Sequence, residues 1–238
     1  METQEPILKV NNLNVRLDDQ KILHDISFDI NRGDTVAILG PNGAGKSVLF
    51  RALLGLIPYT GTATWTKDIK INYIPQRFTI DRDFPLTVKE FLQFKTKKHH
   101  TILSALRSVG ITDEYYITHH LLNQRLGWLS GGQIQRVLIA WAIIDEPDVI
   151  LFDEPTAGID VGGEETIYHL IKKLKDEKDL TILIISHDIH IVYKYATTVL
   201  CLNKDMICYG VPDDALDPKS LKELYGEATF FKHNHQHK

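Results

Sequence analysis

Gly40-Pro41-Asn42-Gly43-Ala44-Gly45-Lys46-Ser47 decides how this chain is read. The stretch fits G-x-x-x-x-G-K-[ST], and its flanks fit too. The apolar run Thr35-Val36-Ala37-Ile38-Leu39 reads as a buried strand, and Val48-Leu49-Phe50-Arg51-Ala52-Leu53-Leu54 reads as a helix. Glycines let the backbone turn tightly and aim several N–H groups at one point. The helix start adds unpaired N–H groups and the positive end of its dipole. Together they form a cradle for phosphate oxygens. Lys46 supplies a mobile positive charge for the β- and γ-phosphates, and Ser47 a hydroxyl ligand for Mg²⁺. The competing reading is a glycine-rich turn carrying a chance lysine, and the strand and helix on either side argue against it.

Working outward, the 238 residues suffice for one large domain or a domain with subdomains. A net charge of −4 offers no basic surface for nucleic acid. No apolar run approaches the roughly 18 residues of a membrane span. The longest, Val137 to Ile144, stops at Asp145. The start, Met1-Glu2-Thr3-Gln4-Glu5, is polar and acidic, unlike a signal peptide. The expectation is a cytosolic protein unless a partner holds it at a membrane. Cys201 and Cys208 flank the hairpin-like Asn203-Lys204-Asp205-Met206. If Lys204 and Asp205 form a two-residue loop, the cysteines face each other across the ladder. In a reducing cytosol they read as two small strand residues, with a metal or redox role as the alternative.

Before the glycine loop, short apolar–polar alternations at 7–30 predict two or three antiparallel strands, with turns at Asp18-Asp19 and Asn31-Arg32-Gly33. After it, Thr60–Trp65 and Ile69–Ile74 read as strands, the second followed by Pro75-Gln76. From Val88 to about Ala142 the periodicity becomes helical, and the pairs His99-His100 and His119-His120 within it read as solvated surface. There Leu129-Ser130-Gly131-Gly132-Gln133 opens an apolar helix, either as a second anion-binding end or as a plain N-cap. Val149–Phe152 is a buried strand ending in Asp153-Glu154. An acid at such a strand end can hold Mg²⁺, and the next can orient or deprotonate a water. A second buried strand, Thr181–Ser186, ends at His187. That is the edge where open parallel sheets bind ligands, so a γ-phosphate contact is favoured.

In this order, Gly40–Ser47, Gln76, Leu129–Gln133, Asp153-Glu154 and His187 resemble the ATP-binding subunit of an ABC transporter. A chance Leu-Ser-Gly-Gly-Gln is on the order of one in a million per position, so that segment carries most weight. The resemblance implies an α/β P-loop NTPase with a RecA-like core, an antiparallel β subdomain and an inserted α-helical subdomain. The domain would run over 1–227, with the helical insertion about 86–145 and a tail at 228–238. Two copies would form a homodimer around two ATP molecules. Gly40, Pro41, Asn42, Gly43, Ala44, Gly45, Lys46, Ser47 and the N–H of Val48 would bind phosphate in cis, and Ser130, Gly131, Gly132 and Gln133 in trans. Ser47, Gln76 and Asp153 would serve the Mg²⁺ bound with ATP. Glu154 would be the general base, His187 the switch histidine, Gln76 the link to the permease groove, and Asp160 the D-loop acid.

A finer resemblance points to the zinc and manganese uptake importers. It rests on Tyr73–Gln76 with Phe84–Val88, and on Ser186–Val192 with Val199–Asn203, the latter pair most like the zinc subunit. Integral-membrane permease subunits and, indirectly, an external metal-binding protein are the implied partners. The implied location is peripheral, on the cytoplasmic face of the cell membrane. Manganese or iron import, or a non-transport ABC module, are the alternatives. His233, His235 and His237 alternate in the tail; they read either as a metal-responsive end or as an incidental one. Three positions depart from the family pattern. Leu17 stands where an adenine-stacking aromatic is usual, Val48 replaces a hydroxyl residue, and Trp141 replaces an arginine.

Overall fold

The computed structural model describes residues 5–76, 78, 80–159 and 161–226. Alternation of apolar and polar residues builds its first layer. β1 (Leu8–Leu17) and β2 (Gln20–Ile30) pair antiparallel, burying Leu8, Val10, Leu13 and Val15 of one and Leu23, Ile26, Phe28 and Ile30 of the other. Asp18 and Asp19 turn the chain between them, with φ of 45° and 63°, a geometry matched to the twist of a hairpin. The expected two or three strands are therefore two long ones. β3 (Thr35–Leu39) is buried throughout, and α1 (Lys46–Leu53) starts directly after Gly45. β4 (Thr60–Trp65) returns to β1 and completes a three-stranded sheet in the order β2-β1-β4.

β5 (Ile71–Ile74) opens a second sheet. It leads to α2 (Val88–Gln93), α3 (His99–Ser108), α4 (Glu114–His119) and α5 (Gly131–Ile143). Short 3₁₀ turns at Leu121–Asn123 and Leu126–Trp128 precede α5. β6 (Val149–Asp153), α6 (Val161–Lys178), β7 (Thr181–Ile185), α7 (Ile189–Tyr195) and β8 (Thr198–Asn203) follow. β9 (Asp205–Gly210), α8 (Pro212–Ala215) and α9 (Pro218–Tyr225) complete the described chain.

The second sheet has the order β5-β6-β7-β3-β8-β9, parallel except for the last pair. β3, β6 and β7 are apolar along their length because both of their faces are covered. Alternate residues of β3 feed different cores. Ala37 and Leu39 join the core that includes α5 and α6, while Val36 and Ile38 join the one under β1 and β2. This arrangement places the ends of β3, β6 and β7 side by side, with β7 in the middle.

The β8–β9 turn departs from the expected two-residue loop. Asn203 pairs with Asp205, leaving Lys204 alone at the tip with φ 66°. A bulge beyond the Cys201–Cys208 pair takes up the difference. The cysteines do face each other, and they form a disulfide with Cα atoms 4.8 Å apart. This corrects the expectation of two unlinked strand residues. Direct cross-strand pairing brings two Cα atoms into the range that a disulfide spans.

Candidate functional site

The glycine loop leaves β3 under tight steric control. A Cβ at Gly40 would lie 2.0 Å from the carbonyl oxygen of Leu202 on β8. Gly45 holds φ 96°, and a Cβ there would meet Leu23 of β2 at 2.6 Å. Glycine is required at both positions, at the first by crowding and at the second also by backbone conformation. Lys46 is buried, and its Nζ donates to the carbonyls of Gly40 and Pro41 at 2.8 and 2.9 Å. Burial pushes the lysine below its usual pKa, against the opposing pull of Glu154 and Asp153.

Asp153, at the end of β6, lies beside this lysine. Ser47 Oγ donates to its Oδ1 at 3.2 Å, and the Tyr73 hydroxyl of β5 donates to its Oδ2 at 3.1 Å. The carboxylate is 3% exposed. Burial raises its pKa more than these two hydrogen bonds lower it. Tyr73 is raised as well, first by burial and then by the neighbouring Asp153 charge. Glu154 takes φ 47°, a region that side chains rarely adopt, and its N–H donates to Ile185 at the end of β7. Its carboxylate accepts from Gln76 Nε2 at 2.5 Å. His187, two residues beyond the end of β7, is exposed at the same edge. Lys46, Ser47, Gln76, Asp153, Glu154 and His187 are thus gathered at one sheet edge from four separate segments.

The Ser130–Gln133 segment is organised differently. Ser130 caps α5, and its hydroxyl accepts from Gln133 N–H. Gln133 Oε1 accepts from Ser130 N–H at 3.0 Å, and its Nε2 donates to the Tyr116 hydroxyl. Ser130 and Gly131 are exposed. A Cβ on Gly131 would come within 2.6 Å of the Gly158 carbonyl, so α5 starts hard against the segment after Glu154. Asp160 lies outside the described residues, as do the tail histidines.

Three contacts escaped sequence reasoning. The Tyr73 hydroxyl on Asp153 had one faint signal, a phenol on a strand next to an acid-ended one. The hairpin tip was missed too: Lys204 N–H donates to the Ala44 carbonyl at 2.9 Å, which ties β8–β9 to the glycine loop. The third is Trp141, which stacks on Phe91 of α2 with centroids 5.6 Å apart and carries the Lys95 ammonium 4.0 Å above its ring. That ammonium also bonds Asn72 and Asp145. Leu17 is 36% exposed at the end of the hairpin that leans on Gly45. Val48 packs against the core under β1 and β2.

The ABC transporter family model matches residues 23–157. The chain belongs to the ABC transporter family. Its ATP-binding relatives include the zinc import ATP-binding protein ZnuC of Wigglesworthia glossinidia brevipalpis, 38% identical over 97% of this chain and 100% of the relative. The protein of the same name from Photorhabdus laumondii is 38% identical over 96% and 89%. Among solved structures, cbiO1 from Clostridium perfringens, part of the ABC transporter complex cbiONQ, superposes with a TM-score of 0.74. It is 30% identical over 92% of this chain and 94% of that one. As a member of the ABC family, the chain is an ATP-binding and ATP-hydrolysing subunit of a membrane transporter. Among the described residues no helix is long and apolar enough to cross a membrane.

Proposed function

We propose that this chain is the ATPase that powers zinc import through a separate integral-membrane permease. The observation that carries this reading is the 38% identity, over 97% of the chain, to a relative named for zinc import. The domain would span 1–227, with 86–145 as its helical subdomain, and would sit on the cytoplasmic face of the membrane. An external metal-binding protein would deliver the cargo to the permease.

The site geometry supports a specific division of labour. Gly40–Ser47 and the Val48 N–H hold the phosphates, with Lys46 carried on the loop by two carbonyl bonds. The Ser47 hydroxyl and Asp153 carboxylate suit Mg²⁺, being hard oxygen donors 3.2 Å apart around a carboxylate whose burial a cation would offset. Gln76 would complete that donor set. Mg²⁺ would neutralise charge on the β- and γ-phosphates. Glu154, held to Gln76 by a hydrogen bond, is placed to take a proton from the attacking water, and His187 to contact the γ-phosphate. Ser130 and Gly131, exposed at the start of α5, would meet the ATP of a second copy together with Gly132 and Gln133, and Asp160 would be the D-loop acid. Hydrolysis then separates the copies, and Gln76 passes the change to the permease.

Uptake of labelled zinc and manganese by cells with and without the chain, at low external metal, tests this reading. Loss of zinc uptake alone is the expected result. Loss of manganese uptake alone would replace the cargo and keep the mechanism. No change in either would remove the zinc and manganese readings together.

A further inference from the structure

We infer that Cys201 and Cys208 form a thiol–disulfide exchange site whose state sets how firmly the β8–β9 hairpin grips the phosphate loop. The inference rests on ATP binding at Gly40–Ser47 and goes beyond it to control of that site.

The hairpin touches the loop at two points, Gly40 and Ala44. The Leu202 carbonyl, one residue from Cys201, is the atom that a Cβ on Gly40 would strike. Lys204 N–H, at the tip, donates to the Ala44 carbonyl. The same tip receives the His24 N–H on its Lys204 carbonyl at 2.8 Å, and Asp205 Oδ1 lies 3.2 Å from His24 Nδ1. On the other strand, Tyr209 next to Cys208 donates its hydroxyl to the Asp29 carbonyl of β2 and packs on Phe28. β8 and β9 both belong to the sheet that carries the phosphate loop, and β9, its edge strand, is also fastened to the three-stranded sheet through Tyr209. The disulfide adds a covalent cross-link to the ladder and the Lys204 turn that already join the two strands. It sits immediately before the bulge that fixes where the tip lies.

Exposure makes the two sulfurs unequal. Cys201 is 0% exposed, lying opposite Leu39 on β3, and Cys208 is partly exposed. An incoming monothiolate therefore attacks Cys208 Sγ, forms a mixed disulfide there and expels Cys201 as a thiolate, which takes up a proton. A second monothiolate attacks the outer sulfur of the mixed disulfide and releases Cys208, which is protonated in turn. The protein disulfide gains two electrons and two protons, and two small thiols become one small disulfide. Oxidation by the small disulfide reverses both steps. The broken bond frees the bulge to change register, which weakens the backbone bond to Ala44 and the contact at Gly40.

The test equilibrates the full chain with oxidised or reduced glutathione and measures the steady-state kinetics of ATP hydrolysis. Alkylation followed by mass spectrometry reports the thiol state. Reduction is expected to raise KM for ATP roughly three- to ten-fold, the scale of one backbone hydrogen bond, with kcat changed less than two-fold. Cys208→Ser, which leaves buried Cys201 in place, should show the raised KM of the reduced protein under both conditions. Amide exchange at Ala44 and Lys204 should quicken on reduction, a readout independent of catalysis. Equal KM and equal exchange in two verified redox states would overturn the proposal. So would a Cys208→Ser protein that still responds to glutathione, or failure of the wild-type pair to oxidise.

Discussion

The edge formed by β3, β6 and β7 and the start of α5 both look like phosphate sites in sequence, yet they are built to opposite plans. At the first, side chains bond others from distant segments: Ser47 to Asp153, Tyr73 to Asp153, Gln76 to Glu154. At the second, Ser130 and Gln133 close on each other within one helical turn, and the surface beyond them is open. A site that is internally cross-linked can bind alone. One that only presents a helix end, with its side chains already used in capping, needs a second surface to supply the rest. On the proposed function, the contrast separates what nucleotide binding would require of this chain from what turnover would require.

The largest expected effect tests the cross-linked plan. Glu154→Gln keeps the hydrogen bond to Gln76 possible but removes the base, and kcat should fall by about 10²–10⁴ while ATP affinity stays within a few-fold. Turnover above a tenth of wild type would remove Glu154 from that role. The next tests the open plan. Gly131→Ala should cut turnover at least ten-fold through the clash with Gly158, yet leave equilibrium ATP binding to the single chain within two-fold. Mixing Gly131→Ala with Glu154→Gln protein should restore activity, because one of the two shared sites then carries neither change. Absence of any recovery would break the comparison, since both plans would then act within one copy.

A smaller effect concerns the base of the nucleotide. Leu17→Tyr should tighten ATP binding by about 5- to 100-fold, the worth of one stacked base at ~1–3 kcal/mol. Wild type should bind ATP and GTP about equally. A strong wild-type preference for ATP would show that another group reads adenine. The smallest effect is thermal. Because burial raises the Asp153 pKa, the folded chain holds that proton more tightly than the unfolded one. This stabilising contribution is full below the ordinary aspartate range and is lost as pH rises through the folded value. Asp153→Asn should therefore raise the Tm of the nucleotide-free protein at neutral pH. The gap should close on acidification, and hydrolysis should be lost at every pH. A lowered Tm would mean that the bonds from Ser47 and Tyr73 outweigh burial.

Legibility in the sequence followed the range of the interaction. The glycine loop, the buried strands ending in Asp153 and His187 and the Asp18-Asp19 turn are written in contiguous residues, so pattern and turn chemistry suffice to place them. The facing of Cys201 and Cys208 is expected from a two-residue loop, and it holds although the loop does not, because a bulge offsets the shorter tip. The bond between them and the single-residue tip at Lys204 depend on a bulge, which alternation does not encode. Tyr73 on Asp153 and Lys204 on Ala44 join residues 80 and 160 positions apart, and only the sheet order brings them together.

Trp141 replaces a familiar charge with a mechanical joint. Its ring lies against Phe91, and the Lys95 ammonium above it is pinned to Asn72 on β5 and to Asp145 after α5. α2, α5 and the edge strand are thereby riveted into a single arm. Gln76 stands two residues beyond the end of that strand. A lever transmits force only as well as its arm resists bending. On the proposed function, a displacement that begins at Gln76 would be handed through this rivet to the outer helices with little slack.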